Sequence, residues 1–126
     1  MIKLILLVSL GGSLGAPARY LLNIVINKYF QYSFPLGTLI VNVLGSFLIG
    51  LFAVMLKNSL LFNDVITKYF LMIGFLGSFT TFSSFSLEII NMFNSSNYYY
   101  TFSYVFLSLI LNIFAVYIGF NFLKLF

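Results

Sequence analysis

The 126-residue sequence contains no cysteine and no histidine, and only two acidic residues. Without thiols or imidazoles it has no Cys nucleophile, no His base and no ligand set for zinc or an iron–sulfur cluster. The lack of cysteine also removes disulfides, and by itself it says nothing more about compartment. Charge is scarce as well: 6% of residues are charged, too few for a water-soluble surface of ordinary composition. The six basic residues, Lys3, Arg19, Lys28, Lys57, Lys68 and Lys124, stand singly between apolar runs, so the net charge of +4 offers no cluster to track phosphates. Most enzyme classes and nucleic-acid binding fall away, and a membrane protein remains.

What is present fits that class. Hydrophobic residues make up 62% of the chain, and the mean hydropathy is +1.11. A bilayer core needs about 20 mostly apolar residues per helix. Residues 2–26, 36–56, 66–92 and 99–123 supply four such spans, joined by short links at 27–35, 57–65 and 93–98. The chain therefore reads as a single all-α membrane domain, 1–126, with no linker long enough to separate two domains. The start of the first span competes with a cleaved signal peptide, since Lys3, the run Leu4 to Leu10 and Ala16-Pro17-Ala18 fit that pattern loosely. Against cleavage, the apolar run resumes at Tyr20 and continues to Ile26. Four spans put both ends on one side together with Lys3, Lys57, Lys68 and Lys124, against Lys28 on the other, and the positive-inside rule then places the ends in the cytoplasm.

Each span carries features that lipid-facing helices do not need. In the first, Gly11, Gly12, Gly15 and Ala16 are small-residue steps that let another backbone approach. Arg19 within that span either snorkels to the interface or faces a wet cavity. The second span holds Thr38 and Asn42 one turn apart, followed by Gly45, Ser46 and Gly50; Asn42 serves either as interhelical glue or as a pore-lining amide. The third has two glycines, two threonines and four serines within the thirteen residues from Gly74 to Ser86. That density weakens a helix and predicts a break at membrane depth, which is tolerated only where backbone is buried in protein or lines a cavity. Phe82 and Phe85, three apart, share a face if helix resumes beyond the break. A phenyl edge can touch a small anion without binding it tightly, although most of the 17 phenylalanines must simply pack or meet lipid. The fourth span places Tyr104, Ser108 and Asn112 at steps of four, a polar stripe expected to turn from lipid. The preceding Tyr98-Tyr99-Tyr100 reads as an interfacial anchor.

These residues resemble the CrcB/Fluc fluoride ion channels over nearly the whole chain. The resemblance runs through Gly12-Ser13-Leu14-Gly15-Ala16 to Arg19-Tyr20, Gly37 to Asn42 with Gly45-Ser46, and Gly74 to Phe85 followed by Ser86 and Glu88. Its most specific part is Gly77 to Phe85; Ser84 stands where Thr is frequent and keeps the hydroxyl. The resemblance implies a dual-topology dimer of antiparallel chains in the plasma membrane, either a homodimer or a heterodimer with an oppositely oriented sister chain. It also implies a structural sodium ion (Na+) at the crossing of the broken helices, held by the main-chain carbonyls of Gly77 and Thr80. The fluoride pathway it implies runs by Asn42, Phe82 and Phe85, with Ser84, Thr38, Tyr104, Ser108 and Asn112 as polar contributors and Arg19 in a vestibule or structural role. The implied activity is passive export of fluoride, with no catalysis. Two other readings stand beside it. A proton-coupled multidrug exporter of four helices needs an intramembrane acid, for which Glu88 is the one candidate. A non-transporting assembly subunit leaves Asn42 and the Thr/Ser break without a purpose.

Overall fold

A computed structural model describes residues 1–30, 34–60 and 63–124. Among them all regular structure is helical: α1 (Ile2–Tyr29), α2 (Leu36–Lys57), a π-helix (Ile66–Leu76), the single turn α3 (Gly77–Phe79), α4 (Phe82–Asn94), α5 (Tyr98–Asn121) and a 3-10 turn (Phe122–Lys124). The four expected spans are all present, counting Ile66–Asn94 as one interrupted span. Parts of the first two predicted links, residues 31–33 and 61–62, lie outside the described residues. The 22 residues of α2 extend about 33 Å at 1.5 Å per residue, enough for a hydrocarbon core of about 30 Å.

The helices pack in two main pairs, α2 on α5 and α1 on the π-helix. Small residues make both approaches possible. A Cβ on Gly15 would overlap the Phe75 carbonyl oxygen, and one on Gly119 would overlap that of Phe47. Small buried side chains of this kind replace a water-driven core, because lipid tails are as apolar as leucine and packing has to hold the bundle. Buried apolar residues are correspondingly few and most fall in two groups: Leu39, Phe85, Met92 and Tyr104 in one, Val41, Leu76 and Phe79 in the other. Ile5, Leu21, Phe102, Phe106 and Ile113 instead face outward. Pro17 lies inside α1 without ending it, so the Ala16-Pro17-Ala18 stretch sits within a continuous helix of 28 residues.

Serines in the left-handed region close two helices. Ser59 (φ 51°) follows α2 and Ser96 (φ 58°) follows α4. In each case the N–H of that serine and of the next residue turn back onto the helix: Ser96 donates to the Phe93 carbonyl and Asn97 to that of Met92. This is the Schellman pattern, with serine in the position that glycine usually takes.

Candidate functional site

The third span is broken over two residues. Thr80 (φ −77°, ψ 157°) and Thr81 (φ −151°, ψ 122°) are extended, and helix resumes at Phe82. Asn42 of α2 holds this break. Its Oδ1 accepts from the Thr81 N–H at 2.8 Å, and its Nδ2 donates to the Thr81 carbonyl at 3.0 Å. The Thr81 hydroxyl in turn accepts from the Ser84 N–H at 3.2 Å, capping α4. The two N–H groups that an unbroken helix would send to the Gly77 and Thr80 carbonyls are thus taken by side chains. Both carbonyls sit at the break without those donors. That of Thr80 accepts from Arg19 Nη1 at 3.4 Å.

A cleft of about 340 Å³ opens beside the break, lined by α2, by Thr80, Thr81, Phe82 and Phe85, and by α5. Among the described residues no ionisable side chain lines it: its polar groups come from Asn42, Ser46, Thr80, Thr81, Ser108 and Asn112, its apolar walls mainly from Phe82, Phe85 and aliphatic residues. Ser108 is buried and its hydroxyl has no hydrogen-bond partner among the described residues. Asn112 donates through Nδ2 to the Ser108 carbonyl at 2.7 Å and accepts through Oδ1 from the Ser46 hydroxyl at 3.0 Å. Each carboxamide nitrogen carries two hydrogens, so Asn42 and Asn112 each keep one amide N–H beyond these bonds. The N-terminal end of α4, where Thr81 and Phe82 line the cleft, adds the positive end of a helix dipole. Neutral donors, a helix N-terminus and phenyl rings without a carboxylate suit a small anion and give a cation no counter-charge.

A second polar group lies apart from the cleft lining. Glu88 receives two short hydrogen bonds, from the Thr38 hydroxyl to Oε1 and from the Tyr104 hydroxyl to Oε2, each 2.6 Å. A hydroxyl has a single proton to give, so those of Thr38 and Tyr104 are committed to the carboxylate. Tyr104 is fully buried, with ring centroids 5.2 Å from Phe85 and 5.3 Å from Phe34.

The residues singled out in the sequence thus divide. Asn42, Thr80, Phe82, Phe85, Ser108 and Asn112 come together at one cleft. Thr38 and Tyr104 belong instead to the Glu88 cluster, and Ser84 accepts from the Thr81 hydroxyl at the start of α4 without lining the cleft. The phenylalanines differ in setting, Phe82 being 76% exposed and Phe85 7%, with centroids 5.6 Å apart. Gly77 faces outward, and a Cβ there meets only the Met72 carbonyl, at 3.8 Å. Sequence reasoning missed the roles of Ser46 and Thr81. Ser46 lies four residues after Asn42 on α2, a spacing that signals a shared face.

The fold and cleft define a multi-pass membrane protein with a polar cleft at a helix break. The chain matches the family model described as CrcB-like protein, Camphor Resistance (CrcB), over residues 6–120, and it belongs to that family. Relatives carrying the name "Fluoride-specific ion channel FluC" include one from Campylobacter lari, 43% identical over 124 residues, covering 98% of this chain and 100% of the relative. Another, from Francisella philomiragia, is 40% identical over 95% of this chain and 94% of its own length. One from Saccharophagus degradans is 46% identical over 88% of this chain and 82% of its own.

Proposed function

We propose that this chain is a fluoride-specific channel of the plasma membrane that exports cytoplasmic fluoride passively and lowers its toxicity. The observation that carries the reading is the cleft at the Thr80–Thr81 break, where the Ser108 hydroxyl, the spare amide hydrogens of Asn42 and Asn112 and the rings of Phe82 and Phe85 meet, with no partner for that hydroxyl and no ionisable lining residue among the described residues. Hydrogen fluoride crosses membranes as a neutral molecule, dissociates in a more alkaline cytoplasm and is trapped as the anion. An inside-negative potential contributes about 2.3 kcal/mol per charge per 100 mV, roughly a fiftyfold ratio, so outward flow needs no coupled energy source. Neutral donors replace part of the hydration shell of the anion, and phenyl edges carry it onward without a charge that would hold it. The exporter reading lacks support, because both oxygens of its required acid, Glu88, are engaged by Thr38 and Tyr104, and the cleft has no carboxylate.

The working unit in this reading is an antiparallel dimer of this chain, or of this chain and an oppositely oriented sister, surrounded by lipid. The Gly77 and Thr80 carbonyls suit a structural sodium ion, since Asn42 and the Thr81 hydroxyl occupy the N–H groups that would otherwise cover them. A hard cation takes oxygen ligands, and two chains supply four. The Thr80 carbonyl also meets Arg19, using one of its two lone pairs. The deciding experiment is anion efflux from liposomes containing the purified protein: fluoride should pass and chloride should not. Equal rates for the two anions would sink the proposal.

A further inference from the structure

We propose that Ser46 is a positioning residue of the anion pathway, acting by fixing which end of the Asn112 carboxamide faces the cleft. The inference rests on the reading of that cleft as the fluoride route. A carboxamide offers donors at one end and an acceptor at the other, and only the donor end helps an anion. With no ionisable side chain among the described residues lining the cleft, turning one amide exchanges a donor for an acceptor in its wall. Two contacts set it for Asn112. The Ser108 carbonyl accepts only and therefore requires the Nδ2 end, at 2.7 Å. The Ser46 hydroxyl, at 3.0 Å, donates to Oδ1 and holds that oxygen against α2.

Ser46 can do this because α2 and α5 approach closely. A Cβ on Gly50, one turn beyond Ser46, would overlap the Val116 carbonyl oxygen, itself one turn beyond Asn112. The pair Ser46–Asn112 thus lies one turn from a close approach of the two helices, with Ser46, Ser108 and Asn112 all on the cleft wall. Without the Ser46 hydroxyl, Oδ1 loses its donor in a half-buried site and the bond from Nδ2 to the Ser108 carbonyl alone sets the amide, so the flipped arrangement, with Oδ1 toward the cleft and repelling an anion, costs one hydrogen bond instead of two. Asn42 needs no such helper, since both of its ends are fixed by Thr81.

The test is a double-mutant cycle on fluoride efflux from liposomes, with dimer formation checked by size exclusion for every variant. Ser46→Ala should slow efflux about fivefold, the effect of losing one hydrogen bond of ordinary net strength. Ser46→Thr, which keeps the hydroxyl, should restore most of the rate. Asn112→Ala should be slow on its own, and adding Ser46→Ala to it should change nothing further, because the residue through which Ser46 acts is gone. A Ser46→Ala variant as fast as wild type, or one that slows the Asn112→Ala protein by the same factor as the wild-type protein, would overturn the proposal. Wild-type speed in Asn112→Ala would overturn it too, by removing Asn112 from the path. Absence of fluoride flux in the wild-type protein is a separate failure, that of the channel reading itself.

Discussion

Asn42 spends both ends of its amide on a single residue, Thr81, 39 positions away in the chain. That arrangement makes it a wall of the cleft and a strap across the break at once, and the two roles respond differently to substitution. Asn42→Asp keeps an acceptor for the Thr81 N–H but sets a carboxylate against the Thr81 carbonyl and beside the proposed anion route. Like charges about 4 Å apart repel by about 4 kcal/mol at an effective dielectric near 20, so fluoride efflux should fall more than about a hundredfold. The two phenylalanines need separate treatment. Phe82 is mostly exposed in the protomer, so Phe82→Ile should cut fluoride efflux while leaving thermal stability in detergent nearly unchanged. Phe85 is packed among Leu39, Met92 and Tyr104, so Phe85→Ile should lose stability as well, by about 1 kcal/mol or more. The control is Phe47, which packs edge-on to Phe122 with centroids 5.8 Å apart; Phe47→Ile should leave efflux near wild type. Equal efflux in Phe82→Ile and wild type would return that ring to ordinary packing. At this scale the sequence allowed Asn42, Ser108 and Asn112 to be singled out, because a polar side chain deep in an apolar run always raises the question of its partner. It did not allow the partners to be named: that of Asn42 is main chain, which every residue carries alike, and Thr38 and Tyr104 turned out to serve a carboxylate rather than the cleft.

The third span shows what patterning can and cannot reveal about an element. A cluster of Gly, Ser and Thr announces a weakened helix, and the break does fall between Gly74 and Ser86. Its width of two residues is set by Asn42 and the Thr81 cap, contacts from outside the local sequence and from one hydroxyl among several similar ones. The π-helix from Ile66 to Leu76 was not legible at all, since its apolar residues are compatible with α-helical periodicity and its closest neighbour is α1. Helix ends were easier, because turn-prone residues mark them. Ser96 in the left-handed region sits within the Asn94-Ser95-Ser96-Asn97 link. A side chain there costs about 1–2 kcal/mol that glycine avoids, so Ser96→Gly should raise thermal stability in detergent and leave efflux unaltered. A lowered melting point would mean that Ser96 makes stabilising contacts outweighing the backbone term.

The protomer as a whole leaves its break half-finished on the outside. Gly77 and Phe82 face outward, and within one chain a side chain at Gly77 has room, its Cβ meeting nothing closer than 3.8 Å. Gly77→Leu should therefore fold as a protomer yet fail to assemble or conduct, if a second chain crosses at that point; a fully active, dimeric Gly77→Leu protein would remove the crossing from Gly77. The orientation expected of this chain in the membrane follows from charge. Lys3 opens α1, Lys57 ends α2, Lys68 lies in the first turn of the π-helix and Lys124 follows α5, so all four fall at one end of the bundle, while Lys28 in the last turn of α1 falls at the other. Four against one is a bias toward a cytoplasmic position for that end, tempered by Asp64 on the same side. An antiparallel dimer made only of chains with that bias has to insert half of them against it. A chain without cysteine is well suited to the measurement: a single Cys placed near Lys124 and treated with a membrane-impermeant thiol reagent in intact cells should remain mostly unlabelled until the cells are opened. In that case purified chain alone should conduct poorly and recover when an oppositely biased sister chain is added. Labelling of about half the protein in intact cells, with full efflux from the single purified chain, would instead establish a homodimer that inserts both ways despite its lysines.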